Sequence, residues 1–531
     1  MTRWAIVADL NRCVGCQTCT AACKHTNATA PGIQWRKVLD IEAGDYPDVR
    51  RAFVPVGCMH CDEPPCLDVC PTKATGKRDD GIVTIDYDLC IGCAYCAVAC
   101  PYQARSRVDG PSAAYGKKPM RHESLREDPK RIGVAQKCTL CVDRIDDGIA
   151  NGRVPGIDPD ATPVCVGSCI ASALHFGDVD DPNSNVSKLL VENRHFRMHE
   201  DLGTGPGFYY LWDKVGEEYS LADETVEAAP MIAEPFGMKA VGPVHQHSWD
   251  WRAAANFIFG GAGSGLFAAS AAAALAGVAV SFPILIALAL VGSGLFCVWL
   301  EIGRPWRFIN VYFHSARSWM SREAIAALPL FGFGLAAAAT GSTWLTVAGA
   351  VSGLLFLYCQ ARLLRAAKGI PAWRHKRIVP LMVTTGLAEG LGLFAICGFI
   401  AGLENSVLQA VALALIALIG LRHLAWRNYR RDLGAEGAPV ATFKALDDSR
   451  PNLSLAHQLV PAAVIAAGLL VGPLLPILLA TASLVVIASG WAFKYTLITR
   501  AAFNQGYAIA RMPARGAGVS APGIKPGWST S

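Results

Sequence analysis

The chain has 531 residues, of which 52% are hydrophobic and 17% charged, and a formal net charge of +5. That length carries two or more domains, and so apolar a balance is unlike that of an ordinary soluble globule. The small net charge gives no reason to expect a nucleic-acid partner.

The opening stretch "MTRWAIVADLNRCVGC" has no apolar h-region, no small-residue cleavage site and no twin-arginine pair. No export signal is therefore expected, and a thiol-rich domain kept from an oxidising compartment binds metal more readily than it forms disulfides. Sixteen of the 19 cysteines lie between Cys13 and Cys169. The other three, Cys297, Cys359 and Cys397, stand singly in apolar runs and read as small buried hydrophobes.

The sixteen form four groups. The first is Cys13, Cys16, Cys19 and Cys23; the second is Cys58, Cys61, Cys66 and Cys70, followed by Pro71. The third is Cys90, Cys93, Cys96 and Cys100, followed by Pro101. The fourth is split, with Cys138 and Cys141 separated from Cys165 and Cys169 by 23 residues. The first and third read C-x2-C-x2-C-x3-C, the spacing in which three thiolates hold one 4Fe–4S cubane and the fourth ligates its neighbour. Zinc ribbons use paired C-x2-C but leave the third and fourth cysteines without a role.

Four complete groups predict four 4Fe–4S clusters. Because each fourth cysteine crosses over, the groups pair, the second with the third and the first with the fourth. The predicted ligand sets are Cys13, Cys16, Cys19 and Cys169; Cys23, Cys138, Cys141 and Cys165; Cys58, Cys61, Cys66 and Cys100; and Cys70, Cys90, Cys93 and Cys96. Short strand-like pieces such as "GIVTIDYD" suit an α+β ferredoxin-like four-cluster domain over 1–214. With no dinucleotide fingerprint and no P-loop beside them, the clusters read as a wire. Residues 215–252 read as a linker.

From about residue 253 the composition changes. Eight apolar stretches follow, at 254–281, 283–300, 323–341, 343–361, 378–401, 406–421, 455–474 and 477–497. Most approach the ~20 residues needed to cross a bilayer, and their Gly and Ala content allows close helix packing in lipid. The expected architecture over 253–500 is an all-α eight-helix transmembrane bundle, with a basic tail at 501–531. Bases crowd the loops after the second, fourth and sixth stretches (Arg304 and Arg307; Arg365 and Lys368; Arg422 and Arg427), whereas the alternate loops have none. The basic side is cytoplasmic by the positive-inside rule, and the cluster domain falls on that side. A bacterial inner membrane is the expected location.

Within spans the ionisable residues are the informative ones. Glu301 closes the second stretch, Arg322 and Glu323 open the third, and Glu389 lies near the middle of the fifth. Quinone reduction takes up two protons, so a carboxylate beside the ring oxygen is chemically apt. Glu301, Glu323 and Arg322 are the candidate quinone-site residues, with Trp319, Lys24 and Glu389 in its vicinity. Glu323 also reads as a helix cap and Glu389 as a buried hydrogen-bonding group. Haem b would require paired histidines on facing spans; His314, His375, His423 and His457 lie at span ends or loops and read as solvated edge residues, with His423 and His457 the one pair open to haem. An ion-pumping redox module would need a chain of ionisable residues, and Glu389 is the deep one the sequence offers.

The stretches "CMHCDEPPCLDVCP", "DGIVTIDYDLCIGCAYCAVACPY" and "KCTLCVDRID" resemble the four-cluster iron–sulfur subunit of molybdopterin oxidoreductases of the dimethyl sulfoxide reductase and sulfite dehydrogenase type. "EIGRPWRFIN" and "SWMSRE" are similar to the eight-helix anchor subunit of the same enzymes, as if the two were fused. The resemblance implies a catalytic partner carrying molybdenum bis-guanine-dinucleotide, and a quinone site (ubiquinone or menaquinone) in the anchor. It places the Cys23 set nearest the membrane and the Cys13 set nearest the molybdenum subunit. It maps the acidic residue of an S-x-E motif onto Glu323 and the basic residue after the first cysteine group onto Lys24; the family's histidine at the end of the second span is Glu301 here. Relatives facing the cytoplasm include membrane-bound sulfite dehydrogenase and phenylacetyl-CoA:acceptor oxidoreductase. The absence of an export signal favours that group, and a sulfite:quinone oxidoreductase in particular.

Overall fold

The computed structural model describes residues 2–43, 46, 49–110, 128–214, 241–448, 455–513 and 521–524, with a few isolated positions besides. Most of the expected linker, 215–240, and Arg515 and Lys525 of the tail lie outside the described residues. The chain divides into two units, one made of 1–244 together with 504–530, the other of 245–503.

The first unit is built on a four-stranded sheet. Its inner strand Trp4–Asp9 pairs antiparallel with Leu174–Asp178 and parallel with Phe208–Lys214, which pairs antiparallel with Asn193–Phe196. "WAIVA" is buried throughout, as a strand covered on both faces must be. The side-chain period of two sends Trp4, Ile6 and Ala8 to a core that contains Cys19, Cys61 and Cys165. Val7 points the other way, onto Val186 and Leu211. Val186 comes from helix Asn185–Glu192, which starts where the Ser184 hydroxyl accepts from the Ser187 N–H at 3.1 Å. The hairpin Arg36–Ala43 and Arg50–Gly57 keeps unbroken register from Arg36 opposite Gly57 to Ala43 opposite Arg50.

The residues read as a tail contribute to this same unit. Strand Ile509–Met512 pairs with Ala521–Ile524, and Tyr507, Ile509 and Met512 are buried in the core that holds Ile6 and Phe176. The Tyr507 hydroxyl donates to the Tyr102 carbonyl at 3.1 Å, and a ring nitrogen of His199 lies 2.9 Å from the Gly506 carbonyl.

The second unit is all-helical. Its apolar helices are Trp251–Leu275, Ser281–Glu301, Trp319–Thr340, Thr343–Ala366, Ile378–Ala401, Asn405–Asp432, Leu455–Val471 and Leu475–Thr499. Seven are long and apolar enough to cross a membrane; Leu455–Val471 is shorter, at 17 residues. The sixth expected stretch ends at 421, but its helix runs on to Asp432, so Arg422 is a residue of the helix and not of a loop. Cys359 and Cys397 are buried as expected, whereas Cys297 is only partly so.

Helix Trp251–Leu275 is the inner one, with 72% of its most apolar window buried, against 33% for Ser281–Glu301 and Trp319–Thr340. Its glycines explain how it fits. A Cβ on Gly265 would stand 2.1 Å from the Gly386 carbonyl oxygen, and one on Gly390 would stand 2.0 Å from the Gly265 carbonyl carbon. Only hydrogen fits at that crossing, which lets the two backbones touch where lipid supplies no hydrophobic drive.

Candidate functional site

Each cysteine group opens on the same turn. The residue before the second cysteine has positive φ in all four: Gly15 at 70°, His60 at 43°, Gly92 at 73° and Leu140 at 60°. Glycine takes that conformation freely, while a side chain there costs roughly 1–2 kcal/mol. His60 and Leu140 are held there by the core around them, the kind of strain that functional loops retain. Helices Thr18–Asn27, Tyr95–Ala99 and Val142–Ala150 then start from a second left-handed residue, Gln17, Ala94 and Cys141 respectively. The first helix carries Cys19 and, one turn on, Cys23, both buried.

None of the sixteen cysteines is in a disulfide. The thiols sort into four neighbourhoods. Cys19 lies in the field of Cys165, Cys13 and Cys169, and Cys23 in that of Cys138, Cys165 and Cys141. Cys61 faces Cys58, Cys66 and Cys100, and Cys93 faces Cys96, Cys70 and Cys90. Each neighbourhood thus mixes cysteines from two sequence groups. Among the described residues, no three His, Cys, Asp or Glu side chains converge closely enough to hold a single ion. Sets of thiols drawn from two sequence groups are what paired 4Fe–4S clusters use, each fourth cysteine ligating the neighbouring cluster.

The neighbourhoods also have an order. Cys23 and Cys138 share a small apolar cluster with Cys58 and Trp35, and Cys66 faces Cys96. The Cys23 neighbourhood therefore has the Cys19 neighbourhood on one side and the Cys61 neighbourhood on the other.

Burial pushes the Cys19, Cys66 and Cys96 thiols up to about 11, and those of Cys100 and Cys141 up to about 12. Such thiols keep their protons at neutral pH until a metal displaces them. Buried Cys58 behaves differently. Burial would raise it, but His60, Lys137 and Arg105 around it hold it well below the usual thiol range. Arg36 completes the fit: it is 1% exposed, and among the described residues none of its three nitrogens has a hydrogen-bond partner. A buried cation facing Cys165, Cys138, Cys19 and Cys23 requires negative charge there, which thiolates on iron would supply.

In the helical unit the two expected carboxylates meet one helix. Glu301, 5% exposed, accepts from the Asp250 N–H at 3.4 Å at the start of helix Trp251–Leu275. Glu323, 4% exposed, accepts from Asn256 Nδ2 at 3.0 Å on the same helix, with Gln360 beside it. Arg322 and Trp319 pack on each other. The Arg322 guanidinium stacks on the Trp319 ring at 4.3 Å and donates to the Ser315 and Ala316 carbonyls, and Arg362 stacks on the same ring at 4.2 Å. Lys24 belongs to the first unit, where its ammonium donates to the Thr29 and Ala30 carbonyls at 3.0 and 2.9 Å.

Glu389 has company that its place in the sequence does not announce. Its Oε2 accepts from Lys494 Nζ at 2.6 Å, and both side chains are fully buried. Arg422, 0% exposed, stands in the field of Glu389 and donates to Gln458 Oε1 at 3.0 Å and to the Val486 carbonyl at 3.1 Å. The available signal is a lone lysine in "SGWAFKYTL", inside a run otherwise fit to span. Gly260 and Gly261 make the room: a Cβ on either would stand 2.4 Å from Gln360 Nε2 or Lys494 Nζ respectively. Helix Trp251–Leu275 therefore carries Asn256 and then receives Gln360 and Lys494, from two other helices, against Gly260 and Gly261.

Residues 49–116 match a family model described as a 4Fe-4S dicluster domain. A selenate reductase subunit from Mesobacillus selenatarsenatis is 40% identical over 225 residues, 39% of this chain and 72% of that protein. The putative dimethyl sulfoxide reductase iron-sulfur subunit of Halobacterium salinarum is 39% identical over 40% of this chain and 79% of its own. A sulfite dehydrogenase subunit from Allochromatium vinosum is 38% identical over 40% of this chain and 83% of its own. These matches lie in the N-terminal half, and the helical remainder fits a fused membrane anchor. On cysteine pattern, fold and similarity together, the chain belongs to the iron–sulfur subunits of the dimethyl sulfoxide reductase and sulfite dehydrogenase type.

Proposed function

We propose that the chain carries electrons through four 4Fe–4S clusters between a separate molybdopterin catalytic subunit and the quinone pool. Its helical unit anchors the complex in the membrane and holds the quinone. The observation that carries this reading is the row of four mixed thiol neighbourhoods, Cys19, Cys23, Cys61 and Cys93, within one unit. The ligand sets are those predicted from the spacing. The clusters, once bound, exchange one electron at a time; the thiolates hold them and the surrounding core keeps water away. Glu323, buried against Asn256, holds the proton that a quinone oxygen exchanges, with Glu301 bonded at Asp250, about 1.7 turns nearer the helix start. Sulfite is the proposed reductant and quinone the acceptor, in keeping with the similarity to the sulfite dehydrogenase subunit.

Anaerobically purified complex should contain about sixteen irons in this chain. Electron paramagnetic resonance should resolve four reducible centres, and sulfite added to membranes should reduce them. About eight irons, or a strong three-iron signal in untreated protein, would overturn the cluster count. Reduction by phenylacetyl-CoA or by a quinol with dimethyl sulfoxide as acceptor, and none by sulfite, would move the substrate to those relatives.

The cluster unit is proposed to face the cytoplasm. Support comes from the bases that crowd alternate loops, with Arg374, Arg377 and Arg430 lying between or at the ends of helices on one side. Reporter fusions after Arg431 should read cytoplasmic and fusions within 402–405 periplasmic; the reverse pattern sinks this orientation. A second reading, an ion-moving redox module, draws on the buried Glu389, Lys494 and Arg422.

A further inference from the structure

Three cations are buried in the first unit: Arg36 is 1% exposed, Lys137 2% and Arg105 7%. Among the described residues, no carboxylate pairs with any of them. Arg36 packs its guanidinium over the Phe208 ring at 4.9 Å and has no hydrogen-bond acceptor. Lys137 donates to the Val83 and Cys138 carbonyls. Arg105 donates to Thr75 Oγ1 at 3.1 Å and to Cys66 Sγ at 3.0 Å. Leaving a charge buried and unpaired costs several kcal/mol, so three such residues in one small unit call for an account.

Their positions supply it. Arg36 faces Cys19 of one neighbourhood and Cys23, Cys138 and Cys165 of the next. Lys137 adjoins Cys138 and faces Cys58 and Cys66. Arg105 donates to Cys66 Sγ and stands in the field of Cys58 and Cys100 of that neighbourhood and of Cys96 of the next. Three cations stand at the three junctions of a four-membered row.

We infer that Arg36, Lys137 and Arg105 are fixed countercharges, one at each junction between neighbouring clusters, and that each raises the reduction potential of the two clusters it separates. This rests on the four-cluster reading. A cubane held by four thiolates is anionic, and each electron it accepts adds one negative charge. A cation shared by two such groups stabilises the reduced form of either. It also lowers the repulsion when both are reduced, so that successive electrons can occupy adjacent positions. Arginine keeps its charge at any physiological pH, and in a site of low dielectric its field is poorly screened.

The test is a redox titration of the assembled, membrane-bound complex, followed by electron paramagnetic resonance. Arg36→Gln should lower the reduced-to-oxidised ratio of the Cys19 and Cys23 clusters at least tenfold at a fixed potential, a shift of about 59 mV for a one-electron couple. The other two clusters should hold their parental potentials. Arg105→Gln should shift the Cys61 and Cys93 clusters instead, and Lys137→Gln the middle two. Arg36→Lys and Arg105→Lys, which keep the charge, should leave all four near their parental values. A residue that merely packs the core would not produce this pairwise pattern. Gln variants with four clusters at parental potentials overturn the inference, as does equal loss of iron in the Gln and Lys variants. Loss of iron in the Gln variant alone supports it, since the Lys variant keeps the charge. Fewer than four clusters in the parent would instead defeat the four-cluster reading itself.

Discussion

Glu323→Gln is expected to preserve the iron content and the assembled complex while lowering quinone-linked turnover by about 10²-fold or more, the range in which a positioned acid or base contributes. The substitution is nearly isosteric. A glutamine oxygen can still accept from Asn256 Nδ2, so helices Trp251–Leu275 and Trp319–Thr340 keep their contact. What is lost is the ability of a buried side chain to take and return a proton. Reduction of an artificial dye that draws electrons directly from the clusters should survive, which separates proton handling from the wire. Near-normal quinone turnover would show Glu323 to be a structural hydrogen-bonding group, and the search would move to Glu389.

Lys494→Met is expected to destabilise the helical unit by about 3–5 kcal/mol, the usual cost of removing one partner from a buried ion pair. Glu389 Oε1 has no hydrogen-bond partner, and Lys494 is what Oε2 holds. A Cβ on Gly490 would stand 2.3 Å from Glu389 Oε1, so the carboxylate has no room to turn away. Arg422 is held by Gln458 and the Val486 carbonyl and cannot replace the lysine without breaking those bonds. Thermal inactivation of the detergent-solubilised complex should begin at distinctly lower temperature. The double variant Glu389→Met/Lys494→Met should recover most of the loss, because neither charge is then left alone. Should the double variant be stable and turn over quinone without the charge movement of the parent, the pair belongs to an ion path, and the ion-moving reading gains what the single-carboxylate reading loses.

The cysteine pattern makes the nature of the first unit legible because ligand spacing is set by the geometry of the group it holds. The turn that the four groups share is only half visible. It shows as glycine at positions 15 and 92, but at His60 and Leu140 the same φ is imposed by the fold. The sheet is harder still. Strand Trp4–Asp9 finds its partners at Leu174–Asp178 and Phe208–Lys214, and no local signal reports a pairing across so much chain. In the helical half, hydropathy finds every apolar helix but misplaces the ends. Arg422 reads as a loop base because a charge usually ends an apolar run, yet here the helix continues and buries the guanidinium. Lys494 is hidden for the opposite reason: one charge in a long apolar window barely changes its mean. Glu301 and Glu323 are legible as candidates, while Asn256, the partner of Glu323, is not, since an asparagine near a helix start looks ordinary until its partner across the bundle is known.

The return of the chain to its first unit has a consequence for how the two halves came to be joined and how they are made. In sequence the helical part is an insertion, flanked on both sides by residues of one hydrophobic core. Tyr507, Ile509 and Met512 leave the ribosome after Leu475–Thr499, so the core around Ile6 and Phe176 stays open at one side until the last helix has been synthesised. Closure of the metal-holding unit is thereby tied to completion of the anchor. A cut between the halves would not yield two finished proteins. It would leave the N-terminal piece with a hole where Tyr507 donates to Tyr102, and the order of synthesis makes the anchor's presence a condition of the wire's own shape.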